Sequence, residues 1–368
     1  MPTVFEAMEK RSHEEVVFCN DENSGLKAII AIHDTTIGPA LGGCRMYPYS
    51  TEGDALRDVL RLARGMTYKA AIANLNLGGG KAVIIGNSKT DKSELLFRSF
   101  GRFVEGLSGR YITAEDVGTS VKDMEWVRME TRYVTGISRA LGGSGDPSPV
   151  TAYGVYVGMK AAVKKALGRE SLAGLTVAVQ GLGHVGYNLC KNLAKEGARL
   201  IVTDVDREAL KKVAEEFKAE VVEPDAIYDV DMDIYAPCAL GATINDDTLN
   251  RLKCSIIAGA ANNQLETESV HGPRLAEKGI LYAPDYAING GGLINVANEI
   301  EGYNRERAFK QTEGIYDTLM SIFNLAEDEN VATYIAANRV AEQRMEALAR
   351  LKNIYLPRQN PMQKRDHK

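Results

Sequence analysis

The sequence has 368 residues, of which 45% are hydrophobic and 25% are charged, and its formal net charge is −5. This length predicts two domains that each bury a core, and the composition is that of an ordinary globular protein. The negative charge argues against a nucleic-acid-binding surface, and no apolar run approaches the roughly 18 residues of a membrane span.

The cysteines and the N-terminal residues indicate the cellular compartment of the protein. The five cysteines are scattered, with no Cys-x-x-Cys pair, which argues against a structural zinc site or a disulfide framework. Residues 1–15 are rich in charge and contain no apolar signal-peptide segment. We therefore expect reduced thiols in a cytoplasmic protein, with no metal site.

The first 50 residues are expected to form a helix followed by strands. Residues 15–19 and 26–33 are β-rich and are separated by a turn cluster at 20–25. The next run contains Gly42 and Gly43, where the backbone can approach a ligand. A tight turn between two strands is the alternative interpretation of this run.

The stretch 66–81 carries two lysines, Lys69 and Lys81, in apolar or small surroundings. Helical spacing of the preceding apolar residues predicts a helix that runs into Lys69, and the apolar run 82–85 predicts a strand with Lys81 at its mouth, behind three glycines. A second cation nearby lowers the pKa of a buried lysine, which makes one of the two a candidate base. The alternative is two lysines with buried stems and solvated amines.

Two acids follow the strand signal at 111–113, namely Glu115 and Asp116. Ligands of α/β proteins bind at the carboxyl ends of strands, so an acid at this position is a candidate binding or catalytic residue. The alternative is an N-cap of the next helix, and each of the two acids could take one of these roles. Further along, the Gly-, Ser- and Pro-rich run 138–149 predicts a hinge between two domains.

The second half contains a dinucleotide-binding fingerprint in its required context. A strand at 175–180 leads into Gly181-x-Gly183-x-x-Gly186, a helix follows, and the next strand, 199–204, ends in an acid. The helix N-terminus would face the pyrophosphate, and the acid would accept from ribose hydroxyls and repel a 2′-phosphate, which favours NAD over NADP. His184 is expected to be a solvent-facing filler of the loop. The predicted cofactor-binding residues here are Gly181, Leu182, Gly183, His184, Val185, Gly186, Tyr187 and Asp204.

Further strand-then-loop units are predicted at 233–241, 255–264 and 281–292. In their loops Asn262 and Asn289 are candidates for amide contacts to nicotinamide or substrate, or alternatively are turn residues. Helices are predicted at 313–324 and 330–351, and the polar, basic tail 359–368 is expected to be a solvated end.

The chain resembles the amino acid dehydrogenases, in particular the branch that acts on leucine, valine and phenylalanine, over almost its whole length. Residues 116–118 and 146–154 are most similar to the leucine-specific members. The motifs that carry the family resemblance are residues 30–36, 65–69, 78–81, 113–118, 261–265 and 283–286.

The resemblance implies roles for individual residues. Lys81 would be the catalytic base, Asp116 would take part in proton transfer to and from the amino group, and Lys69 would bind the substrate carboxylate. The remaining implied contacts are backbone at Gly42 and Gly43 to the substrate, Asn262 to substrate and nicotinamide, and Thr151, Asn289 and Asp204 to NAD. The implied side-chain pocket comprises Leu41, Met66, Ala114, Leu293 and Val296.

Some residues depart from the leucine-type pattern. Leu293 stands where those enzymes usually carry valine, the run 43–46 is more like the phenylalanine enzymes, and Gly290 replaces a usual alanine. These departures leave the preferred side chain open between branched-chain and aromatic, because an apolar pocket discriminates by only about 1–3 kcal/mol per methylene.

The expected fold is α/β, with an N-terminal α/β substrate domain at 1–140, a Rossmann-type NAD-binding domain at 141–330, a cleft between them, and a C-terminal helix and tail at 331–368. Helices from about residue 330 are expected to pack back on the first domain. The expected reaction is NAD-dependent, reversible oxidative deamination of branched-chain L-amino acids to 2-oxo acids and ammonia. The alternatives are an aromatic amino acid dehydrogenase and a non-catalytic NAD-binding regulator. The resemblance also implies a homo-oligomer, often an octamer in this family.

Overall fold

The computed structural model describes residues 3–351, so the predicted tail at 359–368 lies outside the described part of the chain. The described residues divide into two compact units. Unit 1 contains the chain up to Gly145, Val296–Arg305 and the residues from Ala341 onward, and unit 2 contains Asp146–Asn295 and Glu306–Val340. The role of each domain stays a prediction.

Unit 1 is built on a mixed five-stranded sheet of order β1-β2-β4-β3-β5. Strands β1, β2 and β4 pair antiparallel, whereas β3 pairs parallel with both β4 and β5 and lies between them. Its strands are β1 (Glu15–Asp21), β2 (Leu26–Asp34), β3 (Ala40–Tyr47), β4 (Gly78–Ile85) and β5 (Tyr111–Glu115). Its helices up to Gly145 are α1 (Val4–Glu9), α2 (Glu52–Ile72), α3 (Glu94–Gly106) and α4 (Val121–Arg128).

Helix α2 covers one face of this sheet. Thr51 caps its N-terminus by accepting a hydrogen bond from the Asp54 amide, which satisfies one of the free N–H groups of the first turn. The apolar residues Ala55, Val59 and Ala63 recur at helical spacing and pack against Val83 of β4. The long helix therefore fixes the position of Lys69, which lies in its last turn.

The C-terminal end of α2 is held by a late segment of the chain that also belongs to unit 1. Arg344 donates a hydrogen bond to the carbonyl of Leu75 at 2.8 Å and another to the side chain of Asn76 at 3.0 Å. Free carbonyls near a helix end are stabilised by such cationic donors. Arg344 thus supports the segment that carries Lys69.

Unit 2 is a doubly wound α/β domain with a parallel six-stranded sheet of order β11-β10-β9-β6-β7-β8. Numbered from its own first strand this is 6-5-4-1-2-3, the Rossmann order, in which the strand order reverses between β6 and β9. The strands are β6 (Thr176–Gln180), β7 (Arg199–Thr203), β8 (Glu220–Val221), β9 (Ile234–Pro237), β10 (Ile256–Ile257) and β11 (Leu281–Tyr282).

The helices after Gly145 are numbered in chain order. They are α5 (Ser148–Leu167), α6 (His184–Glu196), α7 (Arg207–Phe217), α8 (Thr248–Arg251), α9 (Glu268–Glu277), α10 (Asp285–Ile288), α11 (Gly291–Ala297), α12 (Arg305–Thr312), α13 (Ile315–Asp328) and α14 (Thr333–Ala349). No helix within residues 3–351 combines the length and the apolar character that crossing a membrane requires.

Candidate active site

Lys81 lies inside strand β4 and not at its mouth, because the strand begins at Gly78 and includes the three glycines. Side chains alternate along a strand, so Lys81 shares a face with Val83, which packs against α2. The residue is only 5% exposed, and its Nζ lies 3.1 Å from Oδ2 of Asp116. The structure therefore excludes the interpretation of Lys81 as a lysine with a solvated amine.

Asp116 follows the last residue of β5, as the sequence predicted for an acid at a strand end. The cap of the next helix is made by other residues: the Ser120 amide donates to Oδ2 of Asp123 at 2.9 Å. Asp116 is thus left to pair with cations, and capping does not account for its position.

The cation beside this pair is Arg45, which sequence reasoning missed. Its Nε donates to Oδ2 of Asp116 at 3.1 Å, and its Nη1 donates to Oδ2 of Asp58 at 2.9 Å. Tyr49 also donates to Oδ2 of Asp58, at 2.7 Å. A single carboxylate oxygen of Asp116 therefore faces both Lys81 and Arg45.

Burial and charge shift the two titrating groups in the same direction. Burial lowers the pKa of Lys81 below its ordinary value; Asp116 opposes this shift and Arg45 adds to it. Burial raises the pKa of Asp116, but Lys81 and Arg45 outweigh burial and hold it below its usual value. An amine with a lowered pKa beside an ionised carboxylate is suited to moving protons near neutral pH.

The other predicted substrate residues of unit 1 lie on the same elements. Leu41 and Ala114 lie on β3 and β5 and are 1% and 9% exposed. Met66 and Lys69 are partly buried residues in the C-terminal third of α2. Met66 lies against Gly42, with its Cγ 3.3 Å from the place that a Cβ on that glycine would occupy.

The glycines of unit 1, here called the strand glycines (Gly42, Gly43, Gly78, Gly79 and Gly80), permit close packing. The alternative interpretation of Gly42 and Gly43 as a tight turn is wrong, since both lie inside β3, the strand between β4 and β5. A Cβ on Gly42 would lie 1.7 Å from the carbonyl oxygen of Gly80. A Cβ on Gly43 would lie 2.9 Å from Cβ of Asp116, so this glycine leaves the space in which the acid sits.

The glycines of unit 2, here called the loop glycines (Gly181, Gly183 and Gly186), have different causes. Gly181 has φ +99°, a conformation open mainly to glycine. A Cβ on Gly186 would lie 1.9 Å from the carbonyl oxygen of Gly181, so α6 can approach the loop only without it. Gly183 has φ −60°, and a Cβ there would meet no atom within 4 Å. Within the described chain, therefore, nothing requires a glycine at Gly183.

These residues fit a dinucleotide on three counts. Gly183 is the N-cap of α6 and provides no side chain to satisfy the free N–H groups, which leaves them for an anion. Open space lies over that glycine. Asp204 follows β7, and its two carboxylate oxygens accept from the amides of Leu182 at 2.5 Å and Asp206 at 2.9 Å. The carboxylate is thereby held beside the loop, where it can accept from ribose hydroxyls.

Asn262 and Asn289 of unit 2 are brought together. Asn289 is 4% exposed, and its Nδ2 donates to Oδ1 of Asn262 at 2.7 Å and to the carbonyl of Ala260 at 3.1 Å. The residue in the left-handed conformation is the neighbouring Asn263, with φ +52°, so the turn interpretation applies to that residue instead. Asn262 is exposed and oriented by a buried partner, which suits an amide that binds a ligand.

The chain matches known proteins over nearly its whole length. Residues 13–133 match the family described as Glu/Leu/Phe/Val dehydrogenase, dimerisation domain, and residues 142–353 match the family described as Glutamate/Leucine/Phenylalanine/Valine dehydrogenase. A leucine dehydrogenase of Thermoactinomyces intermedius is 60% identical over 96% of both chains.

The chain belongs to the Glu/Leu/Phe/Val dehydrogenase family.

Other members of the family are similar over nearly the full length. A phenylalanine dehydrogenase of Bacillus thermotolerans is 52% identical over 96% of this chain and 93% of its own. The crystal structure of L-tryptophan dehydrogenase from Nostoc punctiforme has a TM-score of 0.86 at 51% identity and covers 95% of this chain and 100% of its own. The predicted α/β fold with a Rossmann-type domain and the predicted NAD-dependent amino acid dehydrogenase are confirmed at the level of the family.

The remaining predicted residues of this Glu/Leu/Phe/Val dehydrogenase lie on three helices. Thr151 lies in the first turn of α5, where its hydroxyl donates to the carbonyl of Pro147 at 3.1 Å. His184 is 84% exposed, as expected for a filler, and Tyr187 donates to Glu216 at 2.8 Å. Leu293 and Val296 lie three residues apart on α11, which puts them on one side of that helix, and both are partly exposed.

Proposed function

We propose that this protein catalyses the NAD-dependent, reversible oxidative deamination of leucine, and also of valine and isoleucine, to 2-oxo acids and ammonia. The observation that carries the proposal is the buried Lys81 amine, 3.1 Å from Asp116 and with its pKa lowered. The 60% identity to a leucine dehydrogenase supports the choice of substrate, since the phenylalanine enzyme is less similar, at 52%.

Unit 1 would bind and orient the amino acid. The Lys69 ammonium would hold the substrate carboxylate, helped by backbone groups at Gly42 and Gly43. The apolar side chain would lie against Leu41, Met66 and Ala114. Leu293 and Val296 stay predicted pocket residues on the strength of the family resemblance. Small and aliphatic residues of this kind suit a branched aliphatic side chain and offer it no polar partner.

The proton work would fall to Lys81 and Asp116. When bound, NAD would supply the oxidant, since it can accept a hydride from the α-carbon of a substrate whose amine is neutral, and the substrate would become a protonated imine. Neutral Lys81 would then remove a proton from a water molecule as the water oxygen bonds to that carbon. Asp116 would pass the proton that Lys81 has taken from water on to the amino nitrogen. Lys81, neutral again, would then accept the hydroxyl proton as the C=O bond forms and the C–N bond breaks, so that ammonia departs and a 2-oxo acid remains. This sequence requires Lys81 without its proton, which its burial favours.

Unit 2 would hold the cofactor. The loop glycines and the free N–H groups of α6 would bind the pyrophosphate, Asp204 the ribose hydroxyls, and Asn262, Asn289 and Thr151 the nicotinamide end. Leu182, His184, Val185 and Tyr187 complete the predicted loop set. Asp204 would repel a 2′-phosphate, so NAD is the proposed cofactor in preference to NADP.

Assembly and location are part of the same proposal. The N-terminal family model is described as a dimerisation domain, so subunit association is a property of the family. We propose a homo-octamer in the cytoplasm, and analytical ultracentrifugation of the purified protein tests its size. The domain roles proposed are substrate binding by 1–140 and NAD binding by 141–330, with a C-terminal helix and tail at 331–368.

The test is a panel of initial rates for leucine, valine, isoleucine and phenylalanine, each with NAD and with NADP, followed by absorbance of the reduced cofactor. We expect the highest kcat/KM for leucine with NAD, lower values for valine and isoleucine, and little activity with NADP. A phenylalanine value well above that of leucine would make the protein an aromatic amino acid dehydrogenase. NAD binding without turnover on any amino acid would favour the regulator.

A further inference from the structure

Arg45 occupies an unusual position for an arginine near the proposed catalytic pair. Its guanidinium joins two carboxylates on different elements: Asp116, which follows β5, and Asp58, which lies on α2. The side chain is only 22% exposed, and those of Asp58 and Asp116 are 17% and 23% exposed. This ion pair therefore differs from the exposed pairs of the surface, which contribute little.

The shape of arginine explains why it is used here. Its planar fork presents donors in fixed directions, so one side chain can hold two carboxylates at a set distance from each other. Nε points to Asp116 and Nη1 to Asp58. Tyr49 donates to the same oxygen of Asp58 at 2.7 Å, so the oxygen that receives Arg45 is itself held in place. A lysine has a single point charge and could not span the two acids in this way.

We propose that Arg45 is a positioning residue for the deamination reaction, which fixes the Asp116 carboxylate against Lys81 and keeps Lys81 ready to act without its proton. The inference rests on the proposed function and deepens it, because it names the group that prepares the base. Arg45 lies on β3, one residue after Cys44 and two after Gly43, whose missing side chain leaves the space for Asp116.

The charges around the base fix the direction of the effect. Lys81 faces Asp116, Arg45 and Cys44, of which only Arg45 adds to the effect of burial in favouring the neutral amine. Asp116 faces two cations, Lys81 and Arg45. The Arg45 charge therefore favours both the neutral amine and the ionised acid. Its removal should raise the pKa of Lys81, so that a higher pH is needed to deprotonate the base.

The experiment compares Arg45→Met, Arg45→Lys and the matched control Arg61→Met in the full-length protein. Arg61 also pairs with Asp58, but it is 53% exposed and does not contact Asp116. The readouts are kcat and KM for leucine, and the pH dependence of kcat/KM, whose rising limb reports the base in the free enzyme. Titration of leucine itself is common to all variants and cancels in the comparison.

We expect Arg45→Met to move the rising limb to higher pH by about one unit and to lower kcat about tenfold or more, with NAD affinity unchanged. Arg45→Lys should keep the limb near its wild-type position, because the charge remains, while kcat falls severalfold because the fork is lost. Arg61→Met should match the wild type in both readouts. A variant that only failed to fold would lose kcat without moving the rising limb, so it would not give a shifted limb in Arg45→Met beside an unshifted one in Arg45→Lys.

Two results would overturn the inference while leaving the proposed function intact: a limb that does not move in Arg45→Met, or an equal movement in Arg45→Lys. If Arg45→Met does not fold, Asp58→Asn takes its place, since it releases the other end of Arg45. Wild-type kcat in both Asp58→Asn and Arg45→Lys would then contradict the inference. Absence of turnover in the wild-type protein would instead contradict the proposed function.

Discussion

The strand glycines of unit 1 and the loop glycines of unit 2 look alike in sequence but have different physical causes. The loop glycines act through the local chain, as with the positive φ of Gly181 and the close approach of Gly186 to it. The strand glycines act through neighbours that are distant in sequence, as with Gly42, which lies against the backbone of Gly80. Only the first kind of cause can be seen in a short stretch of sequence.

This difference separates the glycines that the fold requires from those that are candidates for contact with a ligand. For four of the strand glycines, a Cβ in place of the hydrogen would lie within 3 Å of protein backbone, so the fold itself requires a glycine. These four are Gly42, Gly43, Gly78 and Gly79. Gly80 has the Tyr111 ring at 2.7 Å instead. Gly183 has neither a positive φ nor a close neighbour, so a bound ligand is the simplest reason for a glycine there.

The largest expected effect is on stability, from Gly42→Ala. The new methyl group would collide with the carbonyl of Gly80 between two paired strands, and backbone cannot move aside as a side-chain end can. We expect the free energy of unfolding to fall by about 3 kcal/mol, as for severe overpacking. Urea denaturation followed by circular dichroism measures it.

The control for this prediction is Gly65→Ala. Gly65 lies within α2, and a Cβ there would meet nothing within 4 Å. Alanine should stabilise the helix by about 0.5–1 kcal/mol. Equal effects of the two substitutions would show that packing does not require the strand glycines. The strand glycines and the loop glycines would then not differ in the cause given for them.

The next effect is on cofactor binding, from Gly183→Ala. The backbone angles of Gly183 are open to alanine, and a Cβ there would meet no protein atom within 4 Å. The free energy of unfolding should therefore change by less than about 0.5 kcal/mol. NAD should bind about tenfold more weakly, a loss of about 1.4 kcal/mol, because the methyl group occupies the space for the pyrophosphate. Titration calorimetry with NAD checks this, and unchanged affinity would place the pyrophosphate elsewhere.

A smaller effect is expected from Asp204→Asn, which tests the other half of the cofactor site. The amide oxygen of asparagine can still accept from the Leu182 amide, so the glycine loop should keep its shape, although the hydrogen bond from the Asp206 amide is lost. The negative charge that repels a 2′-phosphate is lost, so the ratio of kcat/KM for NADP to that for NAD should rise severalfold. A ratio that stays at the wild-type value would mean that another group selects the cofactor.

The cofactor domain could be predicted largely from sequence because its signals are local. A buried strand, a glycine loop, a helix and a second strand followed directly by Asp204 lie within about thirty residues, and each constrains its neighbour. The position of Lys81 and Asp116 was found because each stands near a strand end or a run of glycines. The role of Arg45 was not found, since its partner Asp116 is 71 residues away and no local pattern joins them.

The alternative interpretation of Gly42 and Gly43 as a turn fails for the same reason, which is that its cause lies far away in the sequence. Two adjacent glycines indicate a turn when only the local chain is considered. In the structure they are strand residues, because β3 lies between β4 and β5 and both neighbours approach closely. Knowledge of strand order is needed to see this, and strand order depends on contacts across the whole unit.

The central claim is that the buried Lys81 amine performs the proton transfer of deamination. The most direct measurement is the kcat of Lys81→Ala with leucine and NAD, together with its NAD affinity by titration calorimetry. We expect kcat to fall at least about a hundredfold, the loss expected for a general base, while NAD affinity stays within about twofold of the wild type. Turnover at the wild-type rate in this variant would show that another group is the base.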